Sequence, residues 1–235
     1  MALPKISHPT FEIEIPSTKQ KVRYRPFLVK EEKILLIAQQ SNDLKDTMFA
    51  VKQVLQNCSL DPVDIEDLTT FDIEYYFVKL RSKSVNNIVT LRYRDLEDDK
   101  VYEFEVDLET IEVQFNSEHE NSIQINDNTL LLLKYPKMNA ISSIKEGDSE
   151  TDVVFGLLRH CLDKLIQGKQ EYDFANETPE DIDEFIMSMD VGNFSKLQKF
   201  FDTMPKLRHT IEYTNSLGSK RTIVLENLND FFTLG

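Results

Sequence analysis

The sequence predicts an α+β fold in which an N-terminal β-hairpin, two helical blocks around a β-rich middle region, and a C-terminal β-hairpin follow one another. Short segments that alternate apolar and polar residues occur near both ends and in the middle of the chain, as expected of half-buried strands. Between these segments, apolar residues recur at helical spacing. The 235 residues, 40% of them hydrophobic, suffice for a core without metal or disulfide crosslinks.

The N-terminal segment predicts a hairpin that runs directly into a helix. Residues 11–15 (FEIEI) alternate apolar and acidic side chains, and residues 21–26 (KVRYRP) alternate again until Pro26 ends the strand pattern. From Val29 the apolar residues take helical spacing, with charged residues in the first turns. We interpret the stretch KVRYRPFLVKEEKILLIAQQ as the unit around which the rest of the chain is organised.

Two further helices are predicted before residue 84, separated by an acidic segment. Met48, Val51 and Leu55 share one helical face, and a second apolar face follows in residues 71–80. The acidic segment between them carries one aspartate at every third position: Asp61, Asp64 and Asp67. A hard-cation loop such as an EF-hand needs converging oxygens and a tight glycine turn, which are not placed correctly here. We therefore interpret these acids as a solvated helix start, where carboxylates complement the helix dipole, and predict no metal.

The middle of the chain predicts strands. Residues 88–94 (IVTLRYR) and 101–107 (VYEFEVD) flank a polar turn and predict a hairpin in which Arg92 and Arg94 face acidic residues of the opposite strand. We interpret these arginines as ion-pair partners rather than as a phosphate site. The apolar run at 130–133 fits either a buried strand or the start of a helix.

A second helical block follows the strands. Apolar residues from Val153 to Leu165 predict one helix, which Gly168 ends and which carries Cys161 on its core face. The neighbouring His160 diverges from Cys161 by roughly 100° on a helix. The two side chains therefore cannot act as nucleophile and base for each other.

The last third of the chain predicts two more helices and the closing hairpin. Thr178 followed by Pro179 is typical of a helix start, and Pro205 ends the last helix. Residues 207–213 and 220–226 alternate on either side of an NSLGS turn. These changes of pattern predict domains at 1–84 (N-terminal hairpin plus helices), 85–135 (β-rich middle) and 136–235 (helical block with C-terminal hairpin), or one continuous domain.

The composition excludes several function classes. Forty-one acidic and 27 basic residues give a net charge of −14, which would repel a nucleic-acid backbone or an anionic membrane. The two cysteines are isolated, the four histidines fall in no recognisable motif, and P-loop, GxGxxG, HExxH and GxSxG sequences are missing. We therefore expect a non-enzymatic protein of a reducing cytoplasm, with no cofactor, no metal and no small-molecule substrate.

Three stretches of the chain carry a resemblance to a known family: FEIEIPST, VRYRPFLVKEEKILLIA and TNSLGSKRTIVLENLNDFF. The pattern in the last stretch consists of Asn215, Gly218, Leu228, Asp230, Phe231 and Phe232. Together these stretches resemble the baseplate-hub proteins of T4-like contractile-tailed bacteriophages. The terminal hairpin of some relatives looks like a cysteine-bearing zinc ribbon. This chain has no cysteine between residues 205 and 220, so the resemblance brings no metal to it.

The resemblance implies a non-enzymatic component of the tail baseplate, or a factor that assembles its hub, in the virion or in the host cytoplasm during assembly. Its partners would be other baseplate or hub proteins, contacted through buried apolar anchors. Candidate interface residues are Tyr24, Arg25, Pro26, Phe27, Leu28, Phe231 and Phe232. The alternative is that these residues pack into their own domain, and for Phe27 and Leu28 we favour it. A second functional hypothesis is an intracellular adaptor unrelated to virus tails.

Overall fold

The computed structural model describes residues 6–41, 44–142, 149–226 and 230. Within them, helices combine with small antiparallel sheets, which confirms the predicted α+β fold. The strands of this part of the chain are β1 (Phe11–Glu14), β2 (Lys21–Tyr24), β3 (Ile88–Arg94), β4 (Val101–Asp107), β5 (Val113–Gln114), β6 (Ser122–Asn126), β7 (Thr129–Leu133), β8 (Leu162–Gln167), β9 (Gln170–Asp173), β10 (Lys206–Leu207), β11 (His209–Thr214) and β12 (Lys220–Leu225). Its α-helices are α1 (Val29–Ser41), α2 (Leu44–Cys58), α3 (Thr70–Ser84), α4 (Met138–Ser142), α5 (Glu150–Cys161), α6 (Pro179–Met187) and α7 (Val191–Thr203). No helix among the described residues is long and apolar enough to span a bilayer.

The chain divides into two compact units. The first unit comprises the described residues of Met1–Ile65, Phe71–Gln114 and Lys206–Gly235, and the second comprises those of Glu66–Thr70 and Phe115–Pro205. Each unit has its own hydrophobic core. The domain boundaries at residues 84 and 135 stay a prediction.

The N-terminal hairpin forms as predicted in the first unit, with Ile13 of β1 opposite Val22 of β2. Both side chains are buried while their acidic and basic neighbours face solvent, as the alternation of a strand requires. The turn between the strands is fixed to α3, because the buried Asp72 carboxylate accepts hydrogen bonds from the N–H and the hydroxyl of Ser17. The hairpin is thus held to the helix that follows it by about fifty residues in sequence.

Strands β3 and β4 form the predicted middle hairpin. Arg92 lies opposite Glu103, and their side chains pair at 2.8 Å, which confirms the predicted cross-strand ion pair. The prediction for Arg94 is wrong, because the register places it opposite Val101 and its guanidinium pairs instead with Asp99 in the turn. The core that this hairpin shares with α3 and the C-terminal strands consists of Val78, Val89, Val106, Leu108, Ile111, Leu207, Ile223 and Leu225.

The second unit is built on a four-stranded antiparallel sheet in the order β6-β7-β8-β9. The run at 130–133 lies in β7, which pairs with β6 on one side and β8 on the other, so this segment is a central strand and not a helix start. Side chains from the sheet and from α5, α6 and α7 share one core, formed by Ile123, Leu131, Leu133, Leu158, Leu162, Phe174, Ile182, Ile186, Leu197 and Phe200.

The helix predicted from Val153 to Leu165 ends earlier, at Cys161. Residues 162–167 form strand β8, whose backbone groups pair with β7 and β9. Because pairing on both sides satisfies these peptide groups, tertiary context overrides the helical spacing of the leucines. Gly168 therefore ends a strand and not a helix, and it occupies the turn before β9 with φ of 62°. Cys161 is buried, as predicted.

Leu131, in the centre of the second unit's sheet, is fully buried, so we expect Leu131→Ala to lower the free energy of unfolding by about 2–5 kcal/mol. The matched control is Leu96→Ala, because Leu96 is 85% exposed. Urea unfolding followed by circular dichroism measures both variants. Equal stability of the two variants would contradict the position assigned to Leu131.

Candidate functional site

The predicted interface segment 24–28 begins at the end of β2 with a buried tyrosine. Only 2% of Tyr24 is exposed, and its ring packs edge-on against that of Tyr76 with 5.6 Å between centroids. A second ring, that of Phe11, lies 5.8 Å away. Burial raises the pKa of Tyr24 to about 12. Tyr24 is therefore part of the aromatic core of the first unit.

Arg25 and Glu31 form an ion pair at the start of α1. The Arg25 guanidinium donates at 3.0 Å both to Glu31 Oε1 and to the carbonyl of Asn57, near the end of α2. The Glu31 carboxylate is fully buried and also accepts the Leu28 N–H at 2.9 Å. Leu28 directly precedes the helix, so Glu31 caps the first turn of α1 as the glutamate of a capping box does.

The pKa of Glu31 follows from these contacts. Burial pushes this pKa upward, but the hydrogen bonds from Arg25 and from the Leu28 N–H outweigh burial, and the pKa lies below its usual value. Glu31 is therefore ionised at neutral pH. A charge at a fully buried position is tolerated because Arg25, Lys30 and the backbone compensate it.

Of the remaining residues in this segment, Phe27 is buried and Pro26 and Leu28 are half-buried. The Phe27 N–H donates to the hydroxyl of Ser84, at the end of α3, at 2.9 Å. Segment 24–28 therefore joins β2, α1, α2 and α3 within the first unit. Within this segment, the partly exposed residues are Arg25, Pro26 and Leu28. The role of segment 24–28 as a protein interface stays a prediction.

Phe231 and Phe232 lie outside the described residues. The described neighbour Asp230 accepts a hydrogen bond from the N–H of Glu226 at 2.9 Å. The assignment of Phe231 and Phe232 as interface residues therefore rests on the sequence alone.

An exposed apolar surface that the sequence analysis missed lies on the outer side of α1. It consists of Val29, Leu36 and Ile37, which are 80%, 52% and 58% exposed, and we call it the α1 outer face. Residues 34–38 (ILLIA) are apolar without interruption, so they reach around the helix, and the buried side accommodates Ala38 but not Leu36 or Ile37. That run of five apolar residues was the signal in the sequence that could have found the surface.

The turns of the middle and C-terminal hairpins are hydrogen-bonded to each other in the first unit. The Tyr213 hydroxyl donates to the buried Asp95 carboxylate at 2.5 Å, and the amide of Asn215 donates to Glu97 at 2.6 Å. Asp98 accepts hydrogen bonds from both the N–H and the hydroxyl of Ser216. These contacts cross 118 residues of sequence and hold the C-terminal hairpin against β3 and β4.

The three aspartates at 61, 64 and 67 do not converge. Arg23 binds Asp61 through two nitrogens, and Lys137 pairs with Asp67. In the part of the chain that the structure describes, no group of three or more His, Cys, Asp or Glu residues is arranged to hold a metal ion.

The two cysteines are core residues. Cys58 and Cys161 are both buried, and burial raises the pKa of Cys58 to about 11 and that of Cys161 to about 12. The thiolate is the reactive form of cysteine, and these values keep both side chains protonated at neutral pH. Neither environment resembles that of an activated nucleophile.

These observations define the class of the protein: it is a mixed α+β protein with an exposed apolar surface on α1. Comparison with protein families is more specific, because the model of the family described as "T4 bacteriophage base plate protein" matches residues 8–233. The match covers nearly the whole chain, and the chain belongs to this family of phage baseplate proteins. The baseplate is part of the virion tail, so the family implies a tail location and other baseplate proteins as partners. No curated protein and no solved structure gives a significant match.

The family match confirms the resemblance to T4-like phage baseplate proteins. It leaves no support for the alternative of an adaptor unrelated to virus tails.

Replacing Arg25 tests the ion pair at the start of α1. We expect Arg25→Met to lower the free energy of unfolding by about 3–5 kcal/mol, because it removes the partly buried guanidinium that pairs with the fully buried Glu31 carboxylate and leaves only the solvent-exposed Lys30 as a cationic partner. The double variant Arg25→Met/Glu31→Met should recover much of that loss. The matched control is Arg23→Met, which removes a solvent-exposed ion pair with Asp61 and should have a much smaller effect.

Chemical denaturation of the three variants provides the measurement. If Arg25→Met and Arg23→Met lowered the free energy of unfolding equally, the buried Glu31 carboxylate would not need Arg25 for its stabilisation.

Proposed function

We propose that this protein acts in the central hub of the phage baseplate, as a structural subunit or as a hub assembly factor, and that it works by docking onto other baseplate proteins without catalysing a reaction. The observation that carries the proposal is the family match over residues 8–233. The buried, protonated cysteines and the absence of a metal-holding cluster among the described residues are compatible with it. Host cytoplasm during assembly is the second location that we propose.

The α1 outer face is the surface that we propose for docking. Val29 and Leu36 are seven positions apart and lie on one side of the helix, and Ile37 adjoins Leu36. Single exposed apolar residues are common on protein surfaces, but here three lie within about two turns along one side of a helix. The flanking Glu32 and Lys33 are exposed and would set the register with a partner while the apolar side chains supply affinity.

This surface continues the predicted interface segment, because Val29 directly follows Leu28. The half-buried Arg25, Pro26 and Leu28 would then lie at the edge of the interface, with Tyr24 and Phe27 supporting it from inside. Phe231 and Phe232 are proposed as a second anchor at the C-terminus.

Mass spectrometry of purified phage particles, run beside lysate of infected cells, tests the proposed function. A structural subunit should be present in particles at a fixed ratio to the tail sheath protein. An assembly factor should be absent from particles and should co-sediment with hub intermediates from the lysate. Absence from both fractions would contradict the proposal.

Substitution of the α1 outer face tests the docking surface. We expect Val29→Asp combined with Leu36→Asp to reduce recovery with particles or hub intermediates at least tenfold, because charges replace the apolar contacts. The matched control is Val191→Asp, since Val191 is 83% exposed and, like Val29, is the first residue of a helix.

A truncation that ends at Asn229 tests the C-terminal anchor in the same assay. Recovery of the truncated protein at the level of the unmodified chain would exclude Phe231 and Phe232 as anchors. Thermal melts show whether any variant has lost its fold.

A further inference from the structure

Strand β4 of the first unit has one edge that no other strand covers. At one end of the β3–β4 ladder the Asp95 N–H donates to the carbonyl of Lys100, and at the other end the Leu108 N–H donates to that of Asn87. Hydrogen-bonded and non-hydrogen-bonded pairs alternate along an antiparallel ladder, so these two bonds fix the pattern between them. β4 thus turns away from β3 the N–H and carbonyl groups of Val101, Glu103 and Glu105.

These outward backbone groups have no hydrogen-bond partner among the described residues. Elsewhere the chain covers strand edges itself. The outer edge of β2 pairs with residues 58–60, and the carbonyls at the outer edge of β6 accept hydrogen bonds from the side chains of Asn193 and Lys196 in α7. The row of unpaired donors and acceptors on β4 is therefore available to another chain.

Both faces of the β4 edge carry apolar surface. On the inner face, Tyr102 and Phe104 are half-buried, and their rings are stacked with 6.4 Å between centroids. The ring of Tyr213 covers them from within the unit, at 5.0 and 5.1 Å. On the outer face, Val101 is 61% exposed, the largest fraction for a large apolar side chain within the described strands. A strand added at this edge would cover apolar side chains as well as backbone groups.

The charges along the edge do not by themselves select an occupant. Glu103 pairs with Arg92 of β3 at 2.8 Å. Glu105 lies opposite Thr90 and has no ion-pair partner in the described part of the chain, and the same is true of Lys100 at the other end of the edge. These two opposite charges would fix the direction and the register of an added strand.

The backbone is what identifies the class of occupant. Donors and acceptors that repeat at every second residue, about 7 Å apart, are matched by the backbone of another extended strand. We propose that an extended segment of a different baseplate protein adds to β4 as a third strand. It pairs with the outward groups of Val101, Glu103 and Glu105 and lays apolar side chains beside Tyr102 and Phe104. The proposal rests on the proposed function, because that function supplies a protein as the partner.

The side chains of β4 argue against a second copy of this chain as the occupant. Antiparallel pairing of two β4 strands centred on Glu103 or on Phe104 places glutamates directly opposite each other. Like charges at opposite positions are destabilising. A segment of another protein that carries a basic residue beside Glu105 avoids this repulsion.

Proline substitution tests the edge in the full chain. Proline at an outward position removes a donor that β3 does not use, so the β3–β4 ladder is kept. Glu105→Pro makes this change on β4. The matched control is Thr90→Pro, because Thr90 lies directly opposite Glu105 and turns its N–H outward from β3. Glu105→Thr keeps the N–H and removes only the charge.

Each variant is produced during infection, and its recovery with particles and hub intermediates is measured by mass spectrometry against the unmodified chain. We expect at least a tenfold lower recovery for Glu105→Pro, a smaller loss for Glu105→Thr, and unchanged recovery for Thr90→Pro, with thermal melts that show all three folded. Unchanged recovery of folded Glu105→Pro would overturn the proposal. Equal losses for Glu105→Pro and Glu105→Thr would overturn recognition through the backbone, and a loss with Thr90→Pro alone would overturn the assignment to β4.

Hydrogen–deuterium exchange of the unmodified chain tests the same edge without a substitution. The outward amides of residues 101–107 should exchange rapidly in the purified protein and at least tenfold more slowly in hub intermediates. Equal exchange in the two samples would contradict strand addition. Protection that appears in the purified protein on concentration, together with a dimer in sedimentation, would make the occupant a second copy of this chain and overturn the assignment to a different protein.

Failure of the proposed function gives a separate result. In that case the unmodified chain is recovered with neither particles nor hub intermediates, whatever the variants of β4 do.

Discussion

The first unit depends on the contact between the Arg25 guanidinium and the buried Glu31 carboxylate. Arg25 comes from the end of β2 and also binds the last turn of α2, while Glu31 caps the start of α1. Buried ion pairs contribute little net stability compared with apolar packing, because both charges lose their water. We infer that this pair mainly selects one arrangement, since a misplaced helix or strand would leave a charge buried and alone.

The C-terminal hairpin explains in physical terms why part of the family pattern has the residues that it has. Asn215 is buried, and its side-chain oxygen accepts the N–H groups of Leu217 and Ser219, which closes the turn. Gly218 takes a φ of 86°, which side chains rarely adopt. The same turn is bonded to the middle hairpin through Glu97 and Asp98. The turn geometry thus explains Asn215 and Gly218, and the hydrogen bonds to the middle hairpin explain Asn215 and Ser216.

Local patterns predicted much of the fold, because strands and helix starts are specified by neighbouring residues. The alternation at residues 11–15, the hairpin at 88–107 and the Thr178 cap all appear in the structure. Predictions failed where the structure of a segment depends on its pairing with another strand. Residues 162–167 form a strand because they pair with β7 and β9, and the ion-pair partner of Arg94 depends on the register between β3 and β4.

The candidate interface was harder to predict than the fold for the same reason. An apolar run such as ILLIA places apolar residues all around one turn of the helix. Which of them are buried depends on α2 and the rest of the core. Tyr24 and Phe27 appeared as candidate anchors because aromatic residues suit both interfaces and cores. The structure shows that they face inward, because the Tyr24 ring packs against that of Tyr76 and the Phe27 side chain is buried.

The order of the segments along the chain has a consequence for synthesis. The second unit is nearly continuous, from Phe115 to Pro205, whereas the first needs residues before Ile65 and after Lys206. On the ribosome, the sheet of the second unit can therefore form while the first still lacks β11 and β12, which complete its core. Until β11 and β12 have been synthesised, Val89 and Val106 lack core partners such as Ile223 and Leu225, and the unfinished first unit exposes apolar surface to aggregation and chaperone binding.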